Sequence, residues 1–332
     1  MLDVIKRLYL MPTLFTLYIV TILLVPVNQS VLAYLNYLSD RTLAPISEVS
    51  TRQHVPDEKL PFISPLLVTT TLSKFGAGCP PETAIYVHGW NRDETEAREE
   101  FNRIQSSLDS YGYKIPLIGF SWNSKVLYPN ATDNAVMNGP DLAEFMLAFK
   151  EECPNTAIRL VAHSLGAEVL ERALINLNTD LATNSSNIGD DSKMVESVHF
   201  LGASINNNEV INDTDFGNAI ESQVGAFYNL YNPQDDGLQF NQQLGNRDPL
   251  GLVGAPNGTI TSSNYIDTNV AYEIPPFSDA DGDGNVEDCF EEFSPVRVWG
   301  DNHCGYIGFR QPAGDKVIDD GAMDIVARNW MK

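Results

Sequence analysis

The chain has 332 residues, enough for one large α/β domain with a sizeable core or for two smaller domains. Its 44 acidic residues outnumber the 21 basic ones, and the formal net charge is -23. A surface this negative repels phosphate backbones, so the composition excludes nucleic acid as an expected partner.

The N-terminal segment has the charge order of an export signal. Lys6 and Arg7 precede an almost uncharged apolar run, residues 8–27, which is about as long as a bilayer-spanning helix needs. Small residues at 31–33 would suit a signal peptidase, so residues 1–33 are predicted to form a cleaved signal peptide or a retained membrane anchor rather than a buried core helix. The sequence therefore predicts an extracellular or cell-surface protein, attached to the membrane through residues 8–27 if the segment is not cleaved.

Two further features agree with export. The chain has four cysteines, none in a CxxC pair, which outside the cytoplasm indicate two disulfides rather than a metal site. It also carries five Asn-x-Ser/Thr sequons, at Asn28, Asn130, Asn184, Asn212 and Asn257.

Residues 34–65 contain scattered prolines and no sustained periodicity, which predicts a tether and places the start of the folded domain near Leu66. Beyond it, short apolar runs alternate with segments of helical periodicity. The predicted strands are Leu66–Leu72, Ala84–His88, Leu117–Trp122, Ile158–His163, Ser197–Ala203, Ala226–Tyr231 and Val296–Trp299. The predicted helices are Glu94–Leu108, Pro140–Glu152 and Ala167–Asn178. This alternation predicts a doubly wound α/β fold with a mostly parallel sheet.

Two stretches interrupt the alternation, Asn123–Asn138 and Gln239–Pro295. Insertions at the carboxyl edge of such a sheet lie where ligands bind, so both are candidates for a cap or lid. The Gly- and Asn-rich part of the second stretch is equally typical of a disordered surface excursion.

The segment Ala162-His163-Ser164-Leu165-Gly166 lies between a predicted strand and a predicted helix. It has the pattern of a G-x-S-x-G nucleophile elbow with Ala in the first position. Small residues on both sides of Ser164 let the strand and the helix approach closely while the serine adopts a strained backbone. The Leu165 amide would then face a developing oxyanion, whereas the alternative role for Ser164 is a simple helix N-cap.

A second oxyanion donor is predicted at the end of "IYVHGW", Ile85 to Trp90. Gly89 allows the loop to turn so that the Trp90 amide points at the same oxyanion. His88 precedes the serine and belongs to this loop, so it is interpreted as a residue that organises the loop rather than as the catalytic base.

In proteins with this elbow, the catalytic acid follows the serine along the chain, and the catalytic histidine follows the acid. Only His199 and His303 follow Ser164, and His199 lies inside a predicted strand, which leaves His303 as the base. The segment "NPQDD" follows a predicted strand and offers Asp235 and Asp236 as the acid, of which Asp235 is favoured. Asp213 and Asp215 are the reserve candidates.

The motifs "VHGW", "GFSW", "VAHSLGA", "NLYNPQDD" and "DNHCGYIGF" resemble those of the α/β-hydrolase superfamily over residues 66–332, and are similar to uncharacterised, lipase-like archaeal hydrolases. The resemblance implies the α/β-hydrolase fold and a triad of Ser164, Asp235 and His303. In that fold the strand before the oxyanion loop lies beside the strand before the nucleophile. The resemblance therefore implies a Cys79–Cys153 disulfide, which leaves Cys289 to pair with Cys304.

A short acidic segment matches part of a calcium-binding loop. The first four alternate ligand positions and the glycine of the sharp turn are present, whereas position twelve is Phe290 instead of glutamate. The segment is therefore predicted to be either a structural calcium site or a solvated acidic turn. The Ser164, Asp235 and His303 triad requires no cofactor. The candidate ligands are Asp279, Asp281, Asp283 and Asn285.

Together these features predict an exported or membrane-tethered serine hydrolase that cleaves a small-molecule or lipid carboxylic ester. The alternative is a catalytically silent α/β-hydrolase fold that serves as an extracellular binding module.

Overall fold

A seven-stranded parallel sheet lies at the centre of the fold. The computed structural model describes residues 46–52, 65–76, 78–183, 193–245, 247–259, 261–274, 301–310, 317–319 and 321–332, all within one unit, Leu43–Lys332. The strands are β1 (Ile46–Ser50), β2 (Glu82–Val87), β3 (Leu117–Ser121), β4 (Ala157–His163), β5 (Val195–Leu201), β6 (Val224–Tyr231) and β7 (Tyr265–Asn269). They pair in the order β1-β3-β2-β4-β5-β6-β7. A separate antiparallel pair joins β8 (Phe309–Arg310) and β9 (Val317–Asp319).

Helices cover both faces of the sheet, because its central strands are apolar on both sides. They are α1 (Pro65–Lys74), α2 (Glu94–Ser110), α3 (Tyr128–Glu152), α4 (Gly166–Thr183), α5 (Asp215–Gln223), α6 (Asp236–Gly245), α7 (Leu250–Val253) and α8 (Met323–Trp330). One apolar core contains residues from α1, α3, α4 and α5, and a second core contains residues from α2 and α8. The predicted doubly wound α/β architecture is confirmed.

The strand predicted at Leu66–Leu72 is wrong, because this segment forms helix α1. Val68 and Leu72 are both buried, as is Thr71. This spacing of three and four residues places them on one side of a helix. Pro65 stands at the first helical position, where its missing N–H costs nothing.

The predicted tether 34–65 contains part of the folded domain. Strand β1 pairs in parallel with β3 and forms one edge of the sheet. Its sequence, ISEVS, alternates buried and more exposed positions, as expected for an edge strand of only five residues. The domain therefore begins before Leu66.

The predicted interruption at Asn123–Asn138 is largely the first half of helix α3, which begins at Tyr128 rather than at Pro140. Pro129 lies in the first turn, where proline is tolerated. Small buried residues then follow at four-residue intervals, Ala131, Ala135 and Gly139. A Cβ on Gly139 would lie 2.3 Å from Cβ of Arg172, so α3 and α4 approach each other closely there.

Much of the predicted insertion Gln239–Pro295 also belongs to the regular fold. It contains most of α6, all of α7 and the edge strand β7, which extends the sheet beyond β6. The strand was missed because YIDTN has exposed polar positions and follows a Gly- and Pro-rich loop. The rest of this stretch, from residue 275 onward, and the predicted strand Val296–Trp299 lie outside the described residues.

The predicted Cys79–Cys153 disulfide is present, with a Cα–Cα distance of 5.4 Å. The two cysteines precede β2 and β4, which are parallel neighbours in the sheet. The bridge therefore lies at the edge where these strands begin, opposite the edge where β4 ends. Cys304 is also disulfide-bonded, and its predicted partner Cys289 lies outside the described residues.

Replacing Cys79 and Cys153 together with serine is expected to lower the free energy of unfolding by roughly 4 kcal/mol. The bridge closes a loop with a sequence separation of 74 residues, and the chain-entropy model assigns about this amount to such a loop. Denaturant unfolding of the variant and of the oxidised wild type measures the difference. An unchanged unfolding midpoint would show that the bridge does not constrain the unfolded chain.

Candidate active site

Ser164 lies in a sharp turn between β4 and α4. Its backbone φ is 54°, in the left-handed region that residues other than glycine rarely adopt. The Ser164 amide donates to the Leu201 carbonyl at 3.0 Å, and the Ser164 carbonyl accepts from the Ser204 amide at 3.2 Å. These bonds from the β5 end hold the strained turn in place, so the serine is not a simple helix N-cap.

Glycines on two sides of this turn allow close packing. A Cβ on Gly166 would lie 2.4 Å from the Val87 carbonyl oxygen, so any side chain would push α4 away from β2. A Cβ on Gly89 would lie 3.0 Å from Cβ of Ser164. The oxyanion loop predicted from the sequence is therefore packed directly against the serine.

The side chains of Ser164, His303 and Asp235 form one hydrogen-bonded row. His303 Nε2 lies 2.8 Å from Ser164 Oγ. His303 Nδ1 lies 2.8 Å from Asp235 Oδ2 and 3.0 Å from Asp235 Oδ1. Because a carboxylate only accepts, Nδ1 carries the proton and Nε2 accepts the serine hydroxyl. All three residues are buried, with Asp235 fully so.

The acid contacting the imidazole is Asp235, which the sequence favoured, and not Asp236. The Asp236 amide donates to Asn302 Oδ1 at 3.2 Å, so the backbone of this residue joins the loop after β6 to the loop that contains His303. Asp215 is the first residue of α5, and Asp213 lies two residues before it. The contact with His303 Nδ1 is made by Asp235 rather than by these reserve candidates.

The acid loop and the histidine loop are tied together by contacts that the sequence did not reveal. Leu238 N donates to Asp235 Oδ1 at 2.8 Å, which turns the carboxylate toward the start of α6. Asn302 donates from Nδ2 to the Gln234 carbonyl. Gly237 leaves room for the imidazole, since a Cβ there would lie 2.9 Å from Cγ of His303.

His88 is hydrogen-bonded within the predicted oxyanion loop and to the end of β3. Its Nδ1–H donates to the Gly89 carbonyl at 2.9 Å, and its Nε2 accepts from the Trp122 amide at 3.1 Å. The ring also stacks on Trp122 with a centroid distance of 5.6 Å. Burial, together with the charge of Arg52, lowers the pKa of His88 to about 3, so the side chain is neutral at ordinary pH.

Arg52, from the segment predicted as a tether, supports the same loop. Its guanidinium donates to the carbonyls of Arg92 at 3.1 Å and Asp93 at 3.0 Å. It also donates to Ser121 Oγ at 2.7 Å. No motif surrounds Arg52, so a sequence signal for this role was absent.

The predicted oxyanion residues both adjoin the serine. Leu165 follows it at the start of α4, where the first N–H groups have no acceptor within the helix. Trp90 follows Gly89 in the loop packed on Ser164. The Trp90 indole donates to the Val126 carbonyl at 2.8 Å and packs edge-on against Tyr128, which anchors the loop on its outer side.

A comparison with protein families adds to the description of the fold. The model of a family described as alpha/beta hydrolase of unknown function (DUF900) matches residues 76–257, more than half of the chain. The chain belongs to this family. The matched residues include Ser164 and Asp235, whereas His303 lies beyond them.

Several solved structures are similar to this alpha/beta hydrolase at low identity. Trichoderma reesei cutinase in complex with a phosphonate inhibitor is 20% identical, with 48% of this chain and 71% of that chain covered and a TM-score of 0.29. The catalytic core domain of acetyl xylan esterase from Trichoderma reesei is 14% identical, with 58% and 84% covered and a TM-score of 0.35. Phospholipase PlaB from Legionella pneumophila is 13% identical, with 54% and 43% covered and a TM-score of 0.30.

These values are too low to transfer a substrate or a mechanism to this alpha/beta hydrolase. A comparison with curated proteins gave no match. The predicted likeness to archaeal lipase-like hydrolases finds no support in the matches described above.

The pKa of His303 is the main electrostatic feature of this alpha/beta hydrolase site. Burial by itself lowers the pKa of the imidazole, but the charge and the hydrogen bond of Asp235 outweigh it, and Asp236 adds in the same direction. The net result is a pKa above the ordinary 6.5. His303 therefore gains a proton at a higher pH than an exposed histidine does.

The kcat/KM for an ester substrate is expected to fall on acidification with a midpoint above pH 6.5. Protonated His303 cannot accept the Ser164 proton, so the raised pKa moves the acidic limb to higher pH. A pH profile of kcat/KM measures the midpoint. In Asp236→Asn the limb should move to lower pH, and a wild-type limb below pH 6.5 would contradict this assignment.

The remaining predictions fall largely outside the described chain. Two predicted features lie outside the described residues. They are the apolar run 8–27 and the candidate calcium ligands Asp279, Asp281, Asp283 and Asn285. Within the described ranges, no group of three or more His, Cys, Asp or Glu side chains is arranged to hold a metal ion. No helix of these ranges is both long enough and apolar enough to cross a bilayer.

Proposed function

We propose that this alpha/beta hydrolase is a serine hydrolase that cleaves carboxylic esters through an acyl-enzyme on Ser164. The observation that carries the proposal is the 2.8 Å contact between Ser164 Oγ and His303 Nε2, on an imidazole whose other nitrogen faces Asp235. In this arrangement the histidine accepts the serine proton at Nε2, and the carboxylate keeps the imidazole in the tautomer with its proton on Nδ1.

Acylation begins when Ser164 Oγ attacks the ester carbonyl carbon and its proton moves to His303 Nε2. Asp235, hydrogen-bonded to His303 Nδ1, stabilises the resulting imidazolium. When the tetrahedral intermediate collapses, the carbon–oxygen bond to the alcohol breaks and His303 returns the proton to the leaving oxygen. Water then attacks the acyl-enzyme by the same proton transfers and releases the acid.

The Leu165 and Trp90 amides are assigned to the oxyanion. Leu165 lies at the N-terminus of an 18-residue helix, α4, where the helix dipole favours negative charge. Trp90 lies in a loop that is held by His88 and Arg52 and contains Asn91 with a φ of 58°. Such donors are fixed before the reaction and need no reorganisation as the charge develops.

We also propose that the protein is exported and acts outside the cytoplasm, either free or tethered through residues 8–27. The disulfides at Cys79–Cys153 and at Cys304 support an oxidising compartment. The sequon residues Asn130 and Asn257 are exposed and accessible to glycosylation. The substrate is a small-molecule or lipid ester, with no cofactor in the reaction and a structural calcium ion as an independent proposal for residues 279–285.

The test is covalent labelling of the folded wild-type protein with a fluorophosphonate probe, followed by peptide mapping. A stoichiometric adduct on Ser164 is expected, together with hydrolysis of p-nitrophenyl esters. A folded protein that takes up no probe and hydrolyses none of these esters would favour the silent binding module instead.

A further inference from the structure

His163 stands between the strand residue Ala162 and Ser164, and its imidazole turns toward the histidine loop. His163 Nε2 lies 2.7 Å from the backbone carbonyl oxygen of His303. The rings of His163 and His303 have centroids 5.1 Å apart, and the side chain is buried. The residue before the nucleophile therefore contacts the backbone of the residue that serves as the base.

The contact determines the tautomer of His163. A carbonyl oxygen only accepts, so Nε2 carries the proton and donates. Burial first, and then the charge of His303, lower the pKa of His163 to about 4, so the ring is neutral at ordinary pH. Nδ1 then has a lone pair, and it is buried without a hydrogen-bond partner among the described residues.

The lack of a partner for Nδ1 offsets part of the stability that the Nε2–H bond contributes. A buried acceptor without a partner costs about 1–3 kcal/mol. It faces the oxyanion loop, because a Cβ on Gly89 would lie 3.3 Å from it. An apolar ring of the same size would avoid this cost but would lose the bond to the His303 carbonyl.

We propose that His163 is a positioning residue that holds the backbone of His303 against the nucleophile turn through its Nε2–H bond. The inference rests on the proposed function, because it concerns the geometry of the same reaction. The His303 loop consists of short 3-10 turns, Asp301–His303 and Gly305–Ile307, rather than a long helix or strand. The hydrogen bond from His163 restrains the backbone of His303. It therefore maintains the distance between His303 Nε2 and Ser164 Oγ.

His163→Phe tests the bond, since it keeps an aromatic ring and removes the donor. A misplacement of about 1 Å costs on the order of 10²-fold in rate, so kcat for a p-nitrophenyl ester is expected to fall about 100-fold, with KM changed less than about threefold. His163→Gln is expected to recover about tenfold of that loss, because its side-chain amide can donate to the same carbonyl. A His163→Phe kcat within threefold of wild type, or no recovery in folded His163→Gln, would overturn the proposal.

A measurement on the wild type does not depend on whether the variants fold. Two-dimensional ¹⁵N–¹H NMR of histidine-labelled protein distinguishes the tautomers, and His163 is expected to be neutral with the proton on Nε2. A proton on Nδ1 alone, or a cationic ring at neutral pH, would overturn the assignment. If the wild type takes up no fluorophosphonate, the proposed function fails, while the NMR result still decides whether His163 makes this bond.

Discussion

Replacing Ser164 with alanine is expected to lower kcat for a p-nitrophenyl ester by about 10⁵- to 10⁶-fold. Without Oγ no acyl-enzyme forms, and the oxyanion donors alone give only a small residual rate over water. The backbone amides on both sides of the turn are unchanged by the substitution. Steady-state kinetics above the acidic limb, with fluorophosphonate labelling in parallel, measure the effect.

Ser204→Ala is the matched control for Ser164→Ala. Ser204 also lies at this edge, and its amide donates to the Ser164 carbonyl, but the hydroxyl that contacts His303 Nε2 is that of Ser164. The control should keep most of the activity and all of the labelling. Equal residual rates in the wild type and in Ser164→Ala would mean that another group hydrolyses the ester, and the acyl-enzyme proposal would be abandoned.

Replacing Asp235 with asparagine is expected to lower kcat by about 10⁴-fold. The carboxylate accepts the Nδ1–H of His303 at 2.8 Å, whereas an asparagine amide can donate there and favour the opposite tautomer. Nε2 would then carry the proton and could no longer accept the one on Ser164. Loss of the negative charge also lowers the pKa of His303, so the acidic limb should move to lower pH.

Asp236→Asn is the control for this substitution, since it changes the neighbouring residue by the same atoms. Asp236 influences His303 through its charge, while its amide bond to Asn302 is unaffected. Its kcat is expected to stay within about tenfold of wild type. Asp235→Asn and Asp236→Asn with equal losses, both folded by circular dichroism, would refute the assignment of a single acid.

Local sequence patterns were sufficient for the parts of the site that depend on backbone geometry. The turn at Ser164 needs small neighbours, and the loop at Gly89 packs closely on the serine, so glycine and alanine at these positions indicate both features. The same holds for the central strands, whose apolar runs follow from burial on both faces. His303 could be inferred because few histidines follow the serine.

Local sequence patterns did not predict segments whose structure depends on contacts with distant parts of the chain. Strand β1 and Arg52 lie in a Pro-containing stretch without periodicity, and their roles come from pairing with β3 and from the carbonyls of the oxyanion loop. The sequence of helix α1 predicted a strand, because a short apolar run is compatible with the periodicity of a strand and with that of a helix. Strand β7 has exposed polar positions and is stabilised by its pairing with β6.

By itself, the sequence predicted Ser164, an acid and His303 in this order, from the elbow pattern, and the parallel α/β class, from runs of buried side chains. Tertiary structure alone decided that Asp235 rather than Asp236 faces the imidazole, because adjacent residues differ only in the direction of their side chains. It also placed the His163 donor on the His303 carbonyl, a contact across 140 residues that no local pattern encodes.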